Sequence, residues 1–149
     1  MRPLAELVNV PEPAWHLVES WIAEARNPVE VLPPDAERRA DTLLAAQVTL
    51  GSVLGAVIHE TGGVRVDHGW VRVLGSGHPR LTRTLASWNQ RCGVMQPGMT
   101  PRFVLVGDDV LGGFFAINGG ATEKSNSRIV AVSSVARAKR HCCSTLADG

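Results

Sequence analysis

Lysine is absent from the first 121 residues of this 149-residue chain, and aromatic residues are absent from the last 34. Cysteine is scarce: Cys92, Cys142 and Cys143 show no CxxC spacing, and three is too few and too odd for a disulfide-stapled secreted scaffold. Adjacent cysteines seldom satisfy bridge geometry, so reduced thiols are expected. No apolar run reaches membrane length. The uncharged stretch Thr42 to Ile58 has 17 residues, short of the ~20 a spanning helix needs, and it contains Gln47, Thr49, Gly51, Ser52 and Gly55. An excess of either charge is also missing: 15 Lys+Arg against 14 Asp+Glu leave +1, which offers no bulk attraction to nucleic acid or anionic membrane. Near the N-terminus Glu6 and Asn9 interrupt any apolar signal core, and Pro11 and Pro13 follow. A soluble, cytoplasmic protein is the resulting expectation. With 44% hydrophobic and 19% charged residues, the length suits one globular domain with a buried core.

What is present is unevenly spread. Residues 1–121 carry ten arginines against twelve acids, a balance of −2, whereas residues 122–149 carry five bases against two acids, a balance of +3. All seven aromatics precede residue 116: Trp15, Trp21, Trp70, Trp88, Phe103, Phe114 and Phe115. Aromatics supply much of a core's buried area. Residues 1–121 therefore read as the structured body, and 122–149 as a divergent, basic tail expected to be disordered.

Along the body, Ala14, Trp15, Leu17, Val18, Trp21, Ile22 and Ala25 recur at helical spacing, predicting a helix over 13–26 that ends at Asn27-Pro28. The tryptophans on that stripe read as core anchors. A second helix is predicted from Asp35 to about Gln47, with Asp35 and Glu37 in the dipole-favoured first turn. A turn at Gly51-Ser52 and a buried strand over 53–59 follow, then a hairpin turn at Thr61-Gly62-Gly63. Val64 and Val66 alternate with Arg65 and Asp67, but the apolar parity moves to Val71 and Val73 after His68-Gly69. A straight strand cannot switch faces, so a bulge or tight turn is expected there. A helix over about 82–91 carries Leu85 and Trp88 inward, and strands follow at 103–106 and 113–117. The pattern predicts an α+β fold: N-terminal helices packed on a mainly antiparallel sheet, incomplete at its C-terminal end.

The segment Gly75-Ser76-Gly77-His78-Pro79-Arg80, leading into the helix near Thr82, could form a concave nest of N–H groups, with Arg80 and Arg83 gripping an anion. It matches neither a phosphate-loop nor a dinucleotide fingerprint, and flexible connector residues alone would explain it. Trp70 and Trp88 could line a pocket beside it. Asp67-His68 pairs a carboxylate with an imidazole, a workable general base if a substrate lies near. Asp108-Asp109 could hold a hard cation, but adjacent residues of an extended chain point to opposite sides, so a turn is the plainer reading. His16, His59, His68, His78 and His141 include no i,i+4 pair, and no metal or cofactor is expected.

The run Asp67-His-Gly-Trp-Val-Arg-Val-Leu-Gly-Ser-Gly-His-Pro-Arg-Leu81, then Ser87-Trp-Asn89, then Asp108-Asp-Val-Leu-Gly-Gly-Phe-Phe-Ala-Ile-Asn-Gly-Gly-Ala121 resembles the bacterial domain of unknown function 2625 family. Leu4 to Ala25 and Asn27-Pro-Val-Glu-Val-Leu-Pro33 look similar too. The resemblance brings no catalytic positions with it. Asn118-Gly119-Gly120 is more distantly similar to SUKH-type immunity domains, whose likeness implies a non-enzymatic protein-binding module. After Ala121 the chain departs from the aromatic-rich continuation that the resemblance implies, so residues 122–149 are expected to be a replaced or out-of-frame end.

Two functional expectations follow. The leading one is a non-enzymatic binding module for a protein or a small ligand. The other is an enzyme on an anionic small molecule, with residues 75–80 as cradle and His68 or Asp108 as base. The ligand-binding candidates are His68, Trp70, Gly75, Ser76, Gly77, His78, Arg80 and Asp108.

Overall fold

Among the described residues, six strands run in chain order through one sheet, every neighbouring pair antiparallel, so the sheet is a simple meander. The computed structural model describes residues 1–96 and 101–118, together with the backbone of 129–132. The strands are β1 (Val29–Leu32), β2 (Gly63–Val66), β3 (Val71–Leu74), β4 (Phe103–Asp109), β5 (Phe114–Asn118) and β6 (Ile129–Val132). Helices α1 (Leu4–Val8), α2 (Trp15–Glu24), α3 (Ala36–Ala46) and α4 (Val53–Glu60) precede or interrupt the first strands, and α5 (Leu85–Arg91) joins β3 to β4. The fold is α+β. β6 lies beyond the compositional boundary at 121; the rest of residues 122–149 lies outside the described residues.

The helices begin where side chains can satisfy their orphan N–H groups. Asp35 accepts from the amides of Glu37 and Arg38 at 3.0 and 3.1 Å to start α3. Thr84 and Ser87 form a reciprocal capping box at the start of α5. Ser52 caps α4 by accepting from Gly55 N–H at 3.0 Å. That cap decides against the strand expected over 53–59. A short apolar run carries no period to separate a buried strand from a buried helix, and here Gly55, Ala56, Val57 and Ile58 are buried as a helix. Thr61-Gly62-Gly63 is accordingly a helix-to-strand connection, not a hairpin. Thr61 Oγ1 donates back to Val57 O at 2.8 Å, and Gly62 N–H donates to Leu32 O.

Gly55 looks like a poor helix residue, yet a Cβ there would lie 2.1 Å from Thr49 O. Alanine normally gains about 1 kcal/mol over glycine in a helix. At this position Gly55→Ala is expected to lose about 1–3 kcal/mol instead, because the obstacle is backbone. Thermal unfolding checks it: a raised melting temperature would show that the α3–α4 turn has slack.

The main core joins α1, α3, α4 and α5 to one face of the sheet through Leu7, Leu43, Ile58, Leu85, Trp88, Leu32, Leu74 and Leu105. A second cluster of Ala14, Val18, Ala56 and Val57 lies between α2 and α4, with Val73 packed against it. Val18 supports the predicted stripe on α2, but Trp21 is 52% exposed and is no core anchor. The apolar stripe is wider than the surface available to cover it. The expectation of reduced thiols falls on Cys142 and Cys143 as well as Cys92, and those two lie outside the described residues. Among the described residues, no helix is long and apolar enough to cross a membrane.

Candidate functional site

The meander places one residue from each of β1 to β5 in a continuous cross-strand row. Glu30 pairs with Arg65, Arg65 with Arg72, Arg72 with Asp108, and Asp108 with Phe114. Side chains alternate along a strand, so this row shares its face with Leu32 and Leu74, two residues further along β1 and β3. The turn behind β2 and β3 is the tight one expected at His68-Gly69. Asp67 and His68 take φ of 50° and 58°, and Gly69 takes 92°. A two-fold count about this turn is what sets Arg65 opposite Arg72. Like charges directly opposite are unfavourable by up to about 1 kcal/mol, and each guanidinium is drawn away to its own carboxylate.

Arg72 grips Asp108 in a fork, Nε to Oδ1 at 2.9 Å and Nη2 to Oδ2 at 3.0 Å, and Nη2 also donates to Asp109 O. Arg83, from the connector that ends in the cap of α5, donates Nη2 to the same carboxylate at 3.0 Å. Its guanidinium lies 5.0 Å from the centre of the buried Trp88 ring, a cation–π contact. Trp88 in turn meets Phe114 edge-on at 5.4 Å. The Asp108 side chain is only 9% exposed. Two half-buried guanidiniums therefore share one buried carboxylate.

At the other end of the row, Arg65 donates Nη1 to Glu30 Oε2 at 2.7 Å, and Arg80 pairs with both Glu30 oxygens. Arg65 also donates to His68 O at 3.1 Å, lying against Gly69, where a Cβ would come within 2.8 Å of it. The bond from Arg80, aided by both positive charges, holds the Glu30 carboxyl below its ordinary range. A lowered carboxylate favours folding above its unfolded value, and that contribution fades as pH falls through the folded one. Glu30 is open to solvent, so the gain is modest.

The sequence candidates are split by this geometry. His68 and Trp70 sit at the hairpin end of β3, and Gly75–His78 at the opposite end, about 13 Å along a strand of four residues. Trp70 therefore does not line a pocket with the glycine segment. Nor does that segment present an open nest: Ser76, Gly77 and His78 N–H donate to Thr61, Gly62 and Leu81 carbonyls, and Arg80 N–H to His78 Nδ1. Ser76 is fully buried and its hydroxyl also donates to Thr61 O. Of the candidates, Arg80 and Asp108 join the charged row, though with different partners. Asp109 points the other way, as extended geometry requires, and caps the β4–β5 turn by accepting from Leu111 and Gly113 N–H. Trp70, Val110 and Leu111 stand exposed at this tip, where Val110 N–H donates to Trp70 O. Among the described residues, no group of three or more His, Cys, Asp and Glu is placed to hold a metal ion. His59 pairs with Glu60.

Glu30, Arg65 and Arg72 are not among the sequence candidates, whereas Arg83 is named there as an anion grip beside Arg80 and in the structure bonds Asp108 instead. For Arg65 and Arg72 a signal exists, since both are equidistant from the expected turn. Asp108 reaches them only through a long-range register.

Comparison with known proteins adds the following. A family model described as Protein of unknown function DUF2625 matches residues 4–136, and so runs past Ala121. An uncharacterized protein of Haemophilus influenzae is 40% identical over 134 residues, covering 90% of this chain and 59% of its own. A protein of Escherichia coli named YbfG is 40% identical over 123 residues, covering 80% of this chain and 54% of its own. The chain thus spans a little more than half the length of the curated relatives it matches. No solved structure matches it. Of the segment Asn118-Gly119-Gly120 that carries the SUKH likeness, only Asn118 is among the described residues.

Proposed function

The chain belongs to the family described as Protein of unknown function DUF2625, and from that premise we propose that it is a non-enzymatic binding module that takes an anionic group at Arg72 and Arg83. One observation carries this reading. Two guanidiniums converge on the single buried carboxylate of Asp108, so the cluster holds one positive charge more than it neutralises. Arg72 Nη1 and Arg83 Nε and Nη1 meet no acceptor among the described residues. Partly desolvated donors that are already oriented need little ordering when an anion arrives.

The same geometry weighs against proton transfer. Both Asp108 oxygens accept from guanidiniums, a counterion's placement, and His68 lies at the hairpin end of the sheet. The body's balance of −2 opposes a polyanion such as nucleic acid, whereas a single anionic group needs only the local field.

A thermal-shift panel of acetate, phosphate and sulfate against chloride at constant ionic strength tests the proposal. At 100-fold over Kd a ligand stabilises by about 2.7 kcal/mol, roughly 5–10 °C for a chain of this size. Arg83→Gln is expected to abolish the rise, and Arg80→Ala to leave it. The reverse pattern would move the anion to the 75–80 segment, and no rise with any anion would end the proposal.

A further inference from the structure

We infer that the anionic group taken at Arg72 and Arg83 is a carboxylate, completing a neutral quartet of two guanidiniums and two carboxylates; this rests on the binding reading above. Charge comes first. Arg72 and Arg83 supply two positive charges and Asp108 one negative, so a monoanion closes the count. A phosphate monoester carries close to two negative charges at neutral pH and would overshoot by about one. The overshoot would fall beside a carboxylate that is only 9% exposed, where an uncompensated charge is expensive.

Shape gives the same answer. The guanidiniums already hold a planar carboxylate, Asp108 itself, with Arg72 engaging separate oxygens at 2.9 and 3.0 Å. Planar forks of N–H donors match planar carboxylates, and donors remain unused on both arginines. The neighbours are aromatic: the Trp88 ring backs Arg83, and Phe114 follows Asp108 in the row. A carboxylate borne on an apolar body suits that setting better than a fully hydrated inorganic ion.

Such a carboxylate could be a small organic acid or the free C-terminus of a peptide chain. Calorimetric titration of the full chain at pH 7.5 separates them, using acetate, benzoate, sulfate, phosphate, and one short apolar peptide in free-acid and C-terminally amidated forms. The expected result is that benzoate binds at least tenfold tighter than sulfate or phosphate. Phosphate binding is expected to tighten several-fold between pH 8 and pH 6 as its monoanion accumulates, with acetate unchanged. Tighter binding of the free-acid peptide than of benzoate, lost on amidation, assigns the carboxylate to a chain end; the opposite order assigns it to a small acid. Arg83→Gln removes binding, and Arg83→Lys, which keeps the charge and loses the fork, weakens it at least tenfold. Sulfate or phosphate binding as tightly as benzoate overturns the carboxylate assignment yet leaves an anion site. Absence of binding by every anion overturns both.

Discussion

Replacing Asp108 with alanine is expected to destabilise the folded chain by about 3 kcal/mol, with acetate restoring part of the loss. Asp108 is the only carboxylate that Arg72 and Arg83 touch among the described residues, and its own side chain is 9% exposed. Breaking a buried pair by removing one partner costs about 3–5 kcal/mol, because the other charge stays behind unpaired. The arginines are 32% and 23% exposed and recover some solvation, which sets the value at the low end. Loss of Asp108 also leaves Arg72 facing Arg65 across the β2–β3 pair with no carboxylate drawing it away. Urea denaturation measures the loss, and a value under about 1 kcal/mol would mean that the arginines swing out to water instead. The rescue is the sharper test. Acetate should raise the melting temperature of Asp108→Ala more than that of the unaltered chain, since the variant has two guanidiniums and no resident anion. Equal responses would show that added carboxylate acts elsewhere.

The legible part of this molecule is local. Asp35 before Ala36, the helical spacing over α2, the parity change at His68-Gly69 and the inward pair Leu85 and Trp88 each report on a few neighbouring residues, and each has its counterpart in the structure. Local chemistry is ambiguous at α4, where the apolar positions suit either secondary structure and Ser52 as a cap decides the outcome. It is silent at β1, four residues between Pro28 and Pro33, whose strand character comes from pairing with β2. The charged row divides along the same line. The Arg65–Arg72 juxtaposition follows from a hairpin turn that patterning predicts. Asp108 joins them from 36 positions along the chain, through the pairing of β3 with β4, and no local period encodes that. Arg80 and Asp108 stand out for their neighbours in sequence, glycines in one case and a second aspartate in the other. Their importance in the structure comes from partners far away in the chain.

One buried amide holds the backbone of Leu105 where the β4–β5 register shifts, so Asn89→Leu is expected to cost about 3–4 kcal/mol. Asn89 is fully buried on α5, and its Nδ2 donates to Leu85 O and Leu105 O, both at 2.8 Å. Its Oδ1 accepts from Leu105 N–H at 2.9 Å. The pairing of β3 with β4 reaches only as far as Gly107, so Leu105, which pairs with Ala116 of β5 on one side, has no strand on its β3 side. The Asn89 side chain takes the place of that missing strand, offering one donor and one acceptor in the arrangement a peptide unit would. Leucine there would leave a buried N–H and a buried C=O without partners, at about 1–3 kcal/mol each. Its gain in apolar contact recovers only part of that. Urea denaturation gives the loss, and amide hydrogen exchange at Leu105 should quicken in step. A loss under about 1 kcal/mol would mean that water has entered and replaced the amide. Because Asp108 lies three residues along the same strand, the variant should also bind anions more weakly even where it remains folded. That weakening would tie the hidden amide in the core to the Asp108 end of the charged row.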